Sequence, residues 1–334
     1  MKIRRLIYPA LLALLILSFV LTVYFMVKAL QFDPELSNAA GFDRPRYHFI
    51  LIPEEMDNPY WRLVGNGAKE AAAKYDAVVE YNGPVQTDME KHIRVMKMAI
   101  ASKVDGIITQ GLNKEITPVI NRAIQQGIPV VTVDTDALDS RRIAYVGTDN
   151  YQAGKMAGRF LIHKMNGEVK VGIITGSFRS KSQKQRVQGF RDAVKADQDI
   201  EIVAVKASHI SRVQAAEQTY EIFKNHPDVT VFFGTSALDG LGISATVQRL
   251  GKTDDVYILA FDKLPATLRL IEKGKIEATV AQRPYQMGYQ SVKMMVAIVK
   301  GENVPKINAT STRVIQAKDL PLSEPSSNQV KVAP

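Results

Sequence analysis

Two aspartates stand where a binding site would need them. The apolar run that begins at Ile128 and Pro129 stops at Asp134, and the run from Val256 to Phe261 stops at Asp262. Runs of this length and composition read as strands of a parallel sheet buried on both faces. Open α/β sheets hold ligands beyond the carboxyl ends of such strands, so Asp134 is the first candidate contact. A strand-end aspartate can also simply cap the next helix. The two positions are linked by an echo. DGIITQGLNKEITPVINRAIQQGIPVVTVD and VTVFFGTSALDGLGISATVQRLGKTDDVYILAFD each run strand, small polar turn, helix, glycine, strand, aspartate.

Other chemistry finds little footing. The chain has no cysteine, which excludes disulfides, thiolate metal sites, cysteine nucleophiles and a lipid anchor on cysteine, and its five histidines are scattered. No GxSxG, HExxH or P-loop spacing occurs, and GSFRSKSQKQR, after the strand ending at Thr175, lacks the Walker spacing. The expectation is a non-enzyme with no metal and no cofactor. The net charge of +9 invites a nucleic-acid reading, but several basic residues flank an N-terminal apolar span and the rest mix with acids along helices such as Ala68 to Asp76. That is the pattern of a solvated face, so no nucleic-acid partner is expected.

The elements that must position the aspartates follow from the alternation of short apolar runs with helical periods. At 334 residues, 46% hydrophobic and 23% charged, the chain can hold two ordinary domains. Strands are expected at HFILIP, Val78 to Tyr81, Asp105 to Thr109, Pro129 to Val133 and Ile143 to Gly147. Helices are expected at Asn58 to Tyr75, at Thr87 to Lys103 with Thr87 or Asp88 as cap, and at Lys114 to Gln126. The grammar then repeats from Glu168 to Phe261, and KIEATVAQ, a helix led by Pro284 and a strand over Thr312 to Gln316 finish the fold. The fold class is α/β: two doubly wound parallel-sheet lobes joined by a three-crossing hinge. The lobes are expected over 47–147 plus 283–310 and 148–282 plus 311–322, with a polar tail over 323–334. Facing lobes of this kind make a cleft with ligand groups on both walls.

Ahead of the lobes, Leu6 to Val27 carries no charge and is long enough to cross a bilayer as a helix. Its apolar core exceeds that of a secretory signal, and Asn38-Ala39-Ala40 lies far downstream for a cleavage site, so an uncleaved signal anchor over 1–28 is expected. Lys2, Arg4 and Arg5 outweigh Lys28, which puts the short N-terminus in the cytoplasm and the folded part, beyond a linker over 29–46, on the extracellular or periplasmic side.

DNPYW followed by GAKEAA, DGIITQ with GIPVVTVD, VGTDNYQAGKMAG, RVQGFRDAV, ILAFD and ATVAQRPYQMG resemble, in this order, the type I periplasmic binding proteins of the ribose-binding class, over about Tyr47 to Leu320. The resemblance implies a ring sandwich from Tyr60 and Trp61 with Asn58 hydrogen-bonding a hydroxyl. A sugar suits this, having apolar C–H faces and a belt of hydroxyls. It makes Asp134 and Asp262 the two cleft aspartates, each accepting from adjacent hydroxyls. Arg186 matches a cleft arginine and Gln282 a hinge-side glutamine, and Gln110 takes the place of an asparagine.

The departures are specific. The arginine that should follow the first aspartate is Thr135, with Asp136 next. Where Asn-Asp should follow the fifth strand of the second lobe stand Thr235, Ser236 and Ala237, and the later aromatic falls near Ile210. The implied ligand is a monosaccharide or related polyol other than an assumed ribose. The implied partners are an ABC permease or a membrane histidine kinase. The alternatives are an enzyme acting on a sugar and the effector-binding core of a lactose-repressor-type transcription regulator, which shares the fold.

Overall fold

The computed structural model describes residues 2–30 and 45–321, the side chains of 2–11, 27, 29 and 30 excepted. Most of the expected linker and the tail over 323–334 lie outside the described residues. The chain divides into Met1–Pro45 and Arg46–Pro334.

Among the described residues, the first unit contains the helix α1 (Lys2–Leu30). Its described side chains are exposed and mostly apolar, from Leu12 and Leu14 through Phe19 to Tyr24 and Met26, with Ser18, Thr22 and Lys28 the polar exceptions. Counted over the described residues, no helix is long and apolar enough to cross a membrane.

In the second unit, β1 (Tyr47–Ile52), β2 (Ala77–Tyr81), β3 (Gly106–Thr109), β4 (Val130–Val133) and β5 (Ala144–Gly147) join β11 (Ile307–Ala309) in one sheet. Its order is β11-β5-β4-β3-β1-β2, with every pairing parallel. The second sheet takes β6 (Val169–Thr175), β7 (Ile200–Ala207), β8 (Val231–Gly234), β9 (Tyr257–Phe261), β10 (Ala278–Ala281) and β12 (Arg313–Gln316). Its order, β12-β10-β9-β8-β6-β7, repeats the first, save that β12 runs antiparallel to β10. The central strands β3, β4, β8 and β10 are buried at every position. This is why they read as unbroken apolar runs with no alternation.

Helices cover both faces of each sheet. α2 (Pro59–Lys74) and α10 (Pro284–Val299) share one core with the first sheet; α3 (Met89–Ala101) and α4 (Thr117–Gln125) share the other. In the second lobe, α5 (Asn150–Lys164) and α6 (Lys181–Val194) pack opposite α7 (Arg212–Asn225), α8 (Asp239–Arg249) and α9 (Pro265–Glu272). Phe49, Phe190, Phe233 and Phe261 are fully buried in these cores. Each contributes about 1.5–3 kcal/mol by its burial.

The expected caps resolve to single residues. Asp88 accepts from the Lys91 amide at 3.0 Å and Asp149 from the Gln152 amide at 3.0 Å. The helix expected over Lys114 to Gln126 breaks into a 3-10 turn, Lys114–Ile116, and α4, because Pro118 lacks an amide hydrogen and is tolerated only in a first helical turn. The strand expected over KIEATVAQ shortens to β10. The eight-residue α9 and the three-residue, largely exposed β11 carry too little periodicity to be read.

The chain passes between the sheets three times: after β5 at Thr148 and Asp149, after β10 at Gln282 and Arg283, and between β11 and β12 at 310–312. Each of the first two passages delivers a helix that meets a neighbour backbone to backbone. A Cβ on Gly288 of α10 would strike the Val64 carbonyl of α2, and one on Gly67 would strike Tyr285 in return. Gly154 of α5 and Gly189 of α6 form the same reciprocal pair, against the carbonyls of Arg186 and Tyr151.

Candidate ligand-binding site

The two aspartates occupy equivalent positions in three dimensions as in sequence. Asp134 and Asp262 both adopt left-handed backbone, with φ of 63° and 69°. Aspartate tolerates this conformation better than most residues. The Asp134 amide donates to Val146 at 3.0 Å, and the Asp262 amide donates to Val280 at 2.8 Å. Their carbonyls accept from the Tyr145 hydroxyl at 2.8 Å and the Thr279 hydroxyl at 2.6 Å. Each aspartate is thus pinned to the next strand, with its carboxyl turned into a cavity between the lobes.

On the first wall, three donors converge on Asp134. The Tyr60 hydroxyl donates to Oδ1 at 2.5 Å, while Gln110 Nε2 and the Thr135 hydroxyl donate to Oδ2 at 2.9 and 3.0 Å. Gln110 and Thr135 are absent from the cavity lining and sit behind the aspartate they orient. Asn58 is also engaged: its side-chain oxygen caps α2 at the Tyr60 amide, 3.0 Å, and its Nδ2 donates to Glu55, 3.0 Å. Tyr60 and Trp61, edge to face with ring centres 5.6 Å apart, line the cavity. Burial first, then the charges of Asp134 and Asp262, drive the Tyr60 pKa well above its ordinary value, so the hydroxyl remains a donor.

On the second wall, Arg186 is the organiser. Its guanidinium lies over the Phe261 ring, 3.9 Å from the centroid. Nε donates to Asn150 at 2.8 Å, Nη1 to the Thr235 carbonyl at 2.8 Å and Nη2 to Gln282 Oε1 at 3.2 Å. Gln282 passes the chain on, donating from Nε2 to Asp262 Oδ1 at 2.9 Å. Burial is the main cause that raises the Asp262 pKa to about 7, with Arg186 opposing it. Ser236 lines the cavity, and its hydroxyl is buried with no protein partner.

Asp136 faces elsewhere than sequence reasoning implied. It holds Arg142 through two bonds of 2.6 Å, and Arg142 reaches on to the Lys306 carbonyl at 2.9 Å, tying the β5 edge to β11. Ile210 does stand on the cavity wall, at the place of the missing aromatic. Its φ of 56° is rare for a β-branched residue, and His209 before it has 51°.

Sequence reasoning missed Glu54, Ser182 and Gln183, all on the lining. Glu54 follows the end of β1 and was findable by the strand-end rule that gave Asp134. Gln183 lies one helical turn before Arg186 and shares its face.

A family profile described as periplasmic binding protein domain matches residues 49–303. The ribose import binding protein of Escherichia coli (strain K12) is 27% identical over 261 residues, covering 76% of this chain and 85% of that protein. Among solved structures, GanP, a glucose-galactose binding protein from Geobacillus stearothermophilus, is 55% identical with a TM-score of 0.80, covering 83% of this chain and 99% of its own. XylFII in a XylFII–LytSN complex is 36% identical with a TM-score of 0.79, covering 82% and 99%. The matched span, the paired sheets and the three crossings agree, and the chain belongs to the periplasmic binding protein family.

Proposed function

We propose that this protein is a membrane-anchored extracytoplasmic receptor that closes its lobes on a monosaccharide, taking the first lobe as 47–147 plus 283–310 and the second as 148–282 plus 311–322. The observation that carries the reading is the buried cavity with an aspartate from each lobe, Tyr60 and Trp61 on one side and Arg186 on the other. Hydroxyls bonded to charged groups contribute about 1.5–3 kcal/mol each, and aromatic rings take the C–H faces. Asp134, Asp262, Ser236, Arg186 and Gln282 are the polar contacts; Gln110 and Thr135 act by holding Asp134. The similarity to ribose-binding and glucose-galactose-binding proteins supports this ligand class.

The space left for the centres of water molecules is about 40 Å³. A sugar therefore enters when the lobes part, and binding shifts the open–closed balance through its differential affinity.

The uncharged stretch Leu6 to Val27 supports a single-pass anchor with the lobes outside the cell membrane. The closed form then serves an ABC permease or a membrane histidine kinase. The complex formed by the XylFII relative favours a standing partner over a shuttling carrier.

Calorimetric titration of the full chain in nanodiscs with D-glucose, D-galactose, D-xylose, L-arabinose and D-ribose tests the ligand class. A Kd in the micromolar range or tighter for at least one is expected; none below millimolar rejects the reading. Because the chain is free of cysteine, a Lys97→Cys variant offers a single thiol. Labelling of that thiol by an impermeant maleimide in intact cells or spheroplasts checks the topology.

A further inference from the structure

The cavity lining holds more carboxyls than cations, and Glu54 is one reason. It follows β1, is 8% exposed, and shares the lining with Asp134 and Asp262. Against these three carboxyls stands one guanidinium, Arg186, whose five N–H groups already make three bonds to the protein. Neighbouring Glu55 is occupied, accepting from Asn58 and Thr87. The buried, unpartnered Ser236 hydroxyl marks the same lining as a place where a ligand completes the bonding.

We propose that Glu54 is a specificity-determining ligand contact that makes the cleft select uncharged sugars over their carboxylate-bearing counterparts, a proposal that rests on the sugar-binding reading above. A hydroxyl donates to any of the three carboxyls. A uronate's carboxylate instead meets like charge in a dry site, where such juxtapositions cost several kcal/mol. Burial, then Glu55 and Asp134, raise the Glu54 pKa to about 8, with the Thr87 hydroxyl and then Arg186 pulling the other way. The repulsion therefore grows as Glu54 loses its proton. The charged groups that bear on it are Glu55 beside it, Asp134 after β4, Asp262 after β9 and Arg186 on α6.

Titrations of the full chain compare D-glucose with D-glucuronate and D-galactose with D-galacturonate, at pH 6 and pH 9. The wild type is expected to bind the preferred neutral sugar at least about 30-fold more tightly than its uronate. That gap widens from pH 6 to pH 9. Glu54→Gln narrows it by at least about fivefold and lessens its pH dependence, the remainder following Asp262, whose pKa is raised to about 7. A packing role alone would weaken both sugars together. Equal affinity for sugar and uronate in the wild type, or a gap that Glu54→Gln and pH leave unchanged, overturns the proposal while neutral-sugar binding stands. Absence of all neutral-sugar binding overturns the functional reading, and this proposal with it.

Discussion

The two walls of the cleft are built from the same strand-end aspartate and finished differently. Asp134 enters the site with three donors already fixed on its carboxylate, from Tyr60, Gln110 and Thr135. Asp262 receives a single protein donor, Gln282, itself held by Arg186. The first wall is pre-organised by the protein; the second leaves its carboxyl acceptor capacity to a ligand. Pre-organisation lowers the ordering cost of binding, whereas spare capacity allows the ligand identity to matter. Under the proposed function, Asp134 holds the ring in place, while Asp262, together with Glu54, carries the carboxyl capacity that a ligand meets.

The sharpest way to break this contrast is Arg186→Ala. It leaves Asn150, Gln282 and the Thr235 carbonyl without their donor and Asp262 without the cation that favours its charged form. Loss of a buried charged partner costs about 3–5 kcal/mol. Calorimetric titration is expected to show sugar binding abolished, and thermal unfolding a much lower Tm.

The next effect separates the aspartates. Asp134→Asn replaces one acceptor oxygen with an NH2 group that faces existing donors and is expected to destabilise the free protein by about 1–3 kcal/mol. Asp262→Asn, with one donor to satisfy, is expected to leave stability nearly unchanged while lowering affinity at least about tenfold. Equal stability losses in chemical denaturation would refute the asymmetry.

A third test uses pH. The pKa of Asp262 is raised to about 7 and that of Glu54 to about 8, chiefly by burial. The folded state then keeps protons that the unfolded chain releases above its ordinary carboxylate range, near pH 4. Stability from these groups is full at acid pH and falls as pH rises through about 7 to 8. Asp262→Asn should flatten the lower part of this slope in Tm against pH.

The smallest effect is expected at the rim. Arg179 on the second lobe meets Glu115 on the first at 3.1 Å, with both side chains largely in solvent. An exposed pair contributes about 0–1 kcal/mol, so Arg179→Ala should change sugar affinity by no more than about threefold and be masked by salt.

The sequence made the walls legible and their wiring illegible. Asp134, Asp262, Arg186 and Gln282 declare themselves because strand ends and helix turns are fixed by local periodicity. What those side chains touch depends on groups 20 to 100 positions away, as in the Gln110–Asp134 and Arg186–Gln282 bonds. Asp136 shows the limit: two residues after a site aspartate, it points to Arg142 because the left-handed turn at Asp134, just past the end of β4, breaks the strand's side-chain alternation. Glu54 was passed over because an acidic residue beside Glu55, Met56 and Asp57 looks like a surface turn. Its burial depends on groups far from it in sequence, Asp134 and Arg186 among them.

The reciprocal glycines have a mechanical consequence. α5 and α10 are the first helices after two of the three crossings, and each is clamped through bare backbone to the helix that carries site residues: α6 with Gln183 and Arg186, α2 with Tyr60 and Trp61. No flexible side chain lies at those junctions to absorb displacement. A rotation at the crossings is thus delivered to the ring-binding groups with little slack, like a gear train cut without backlash.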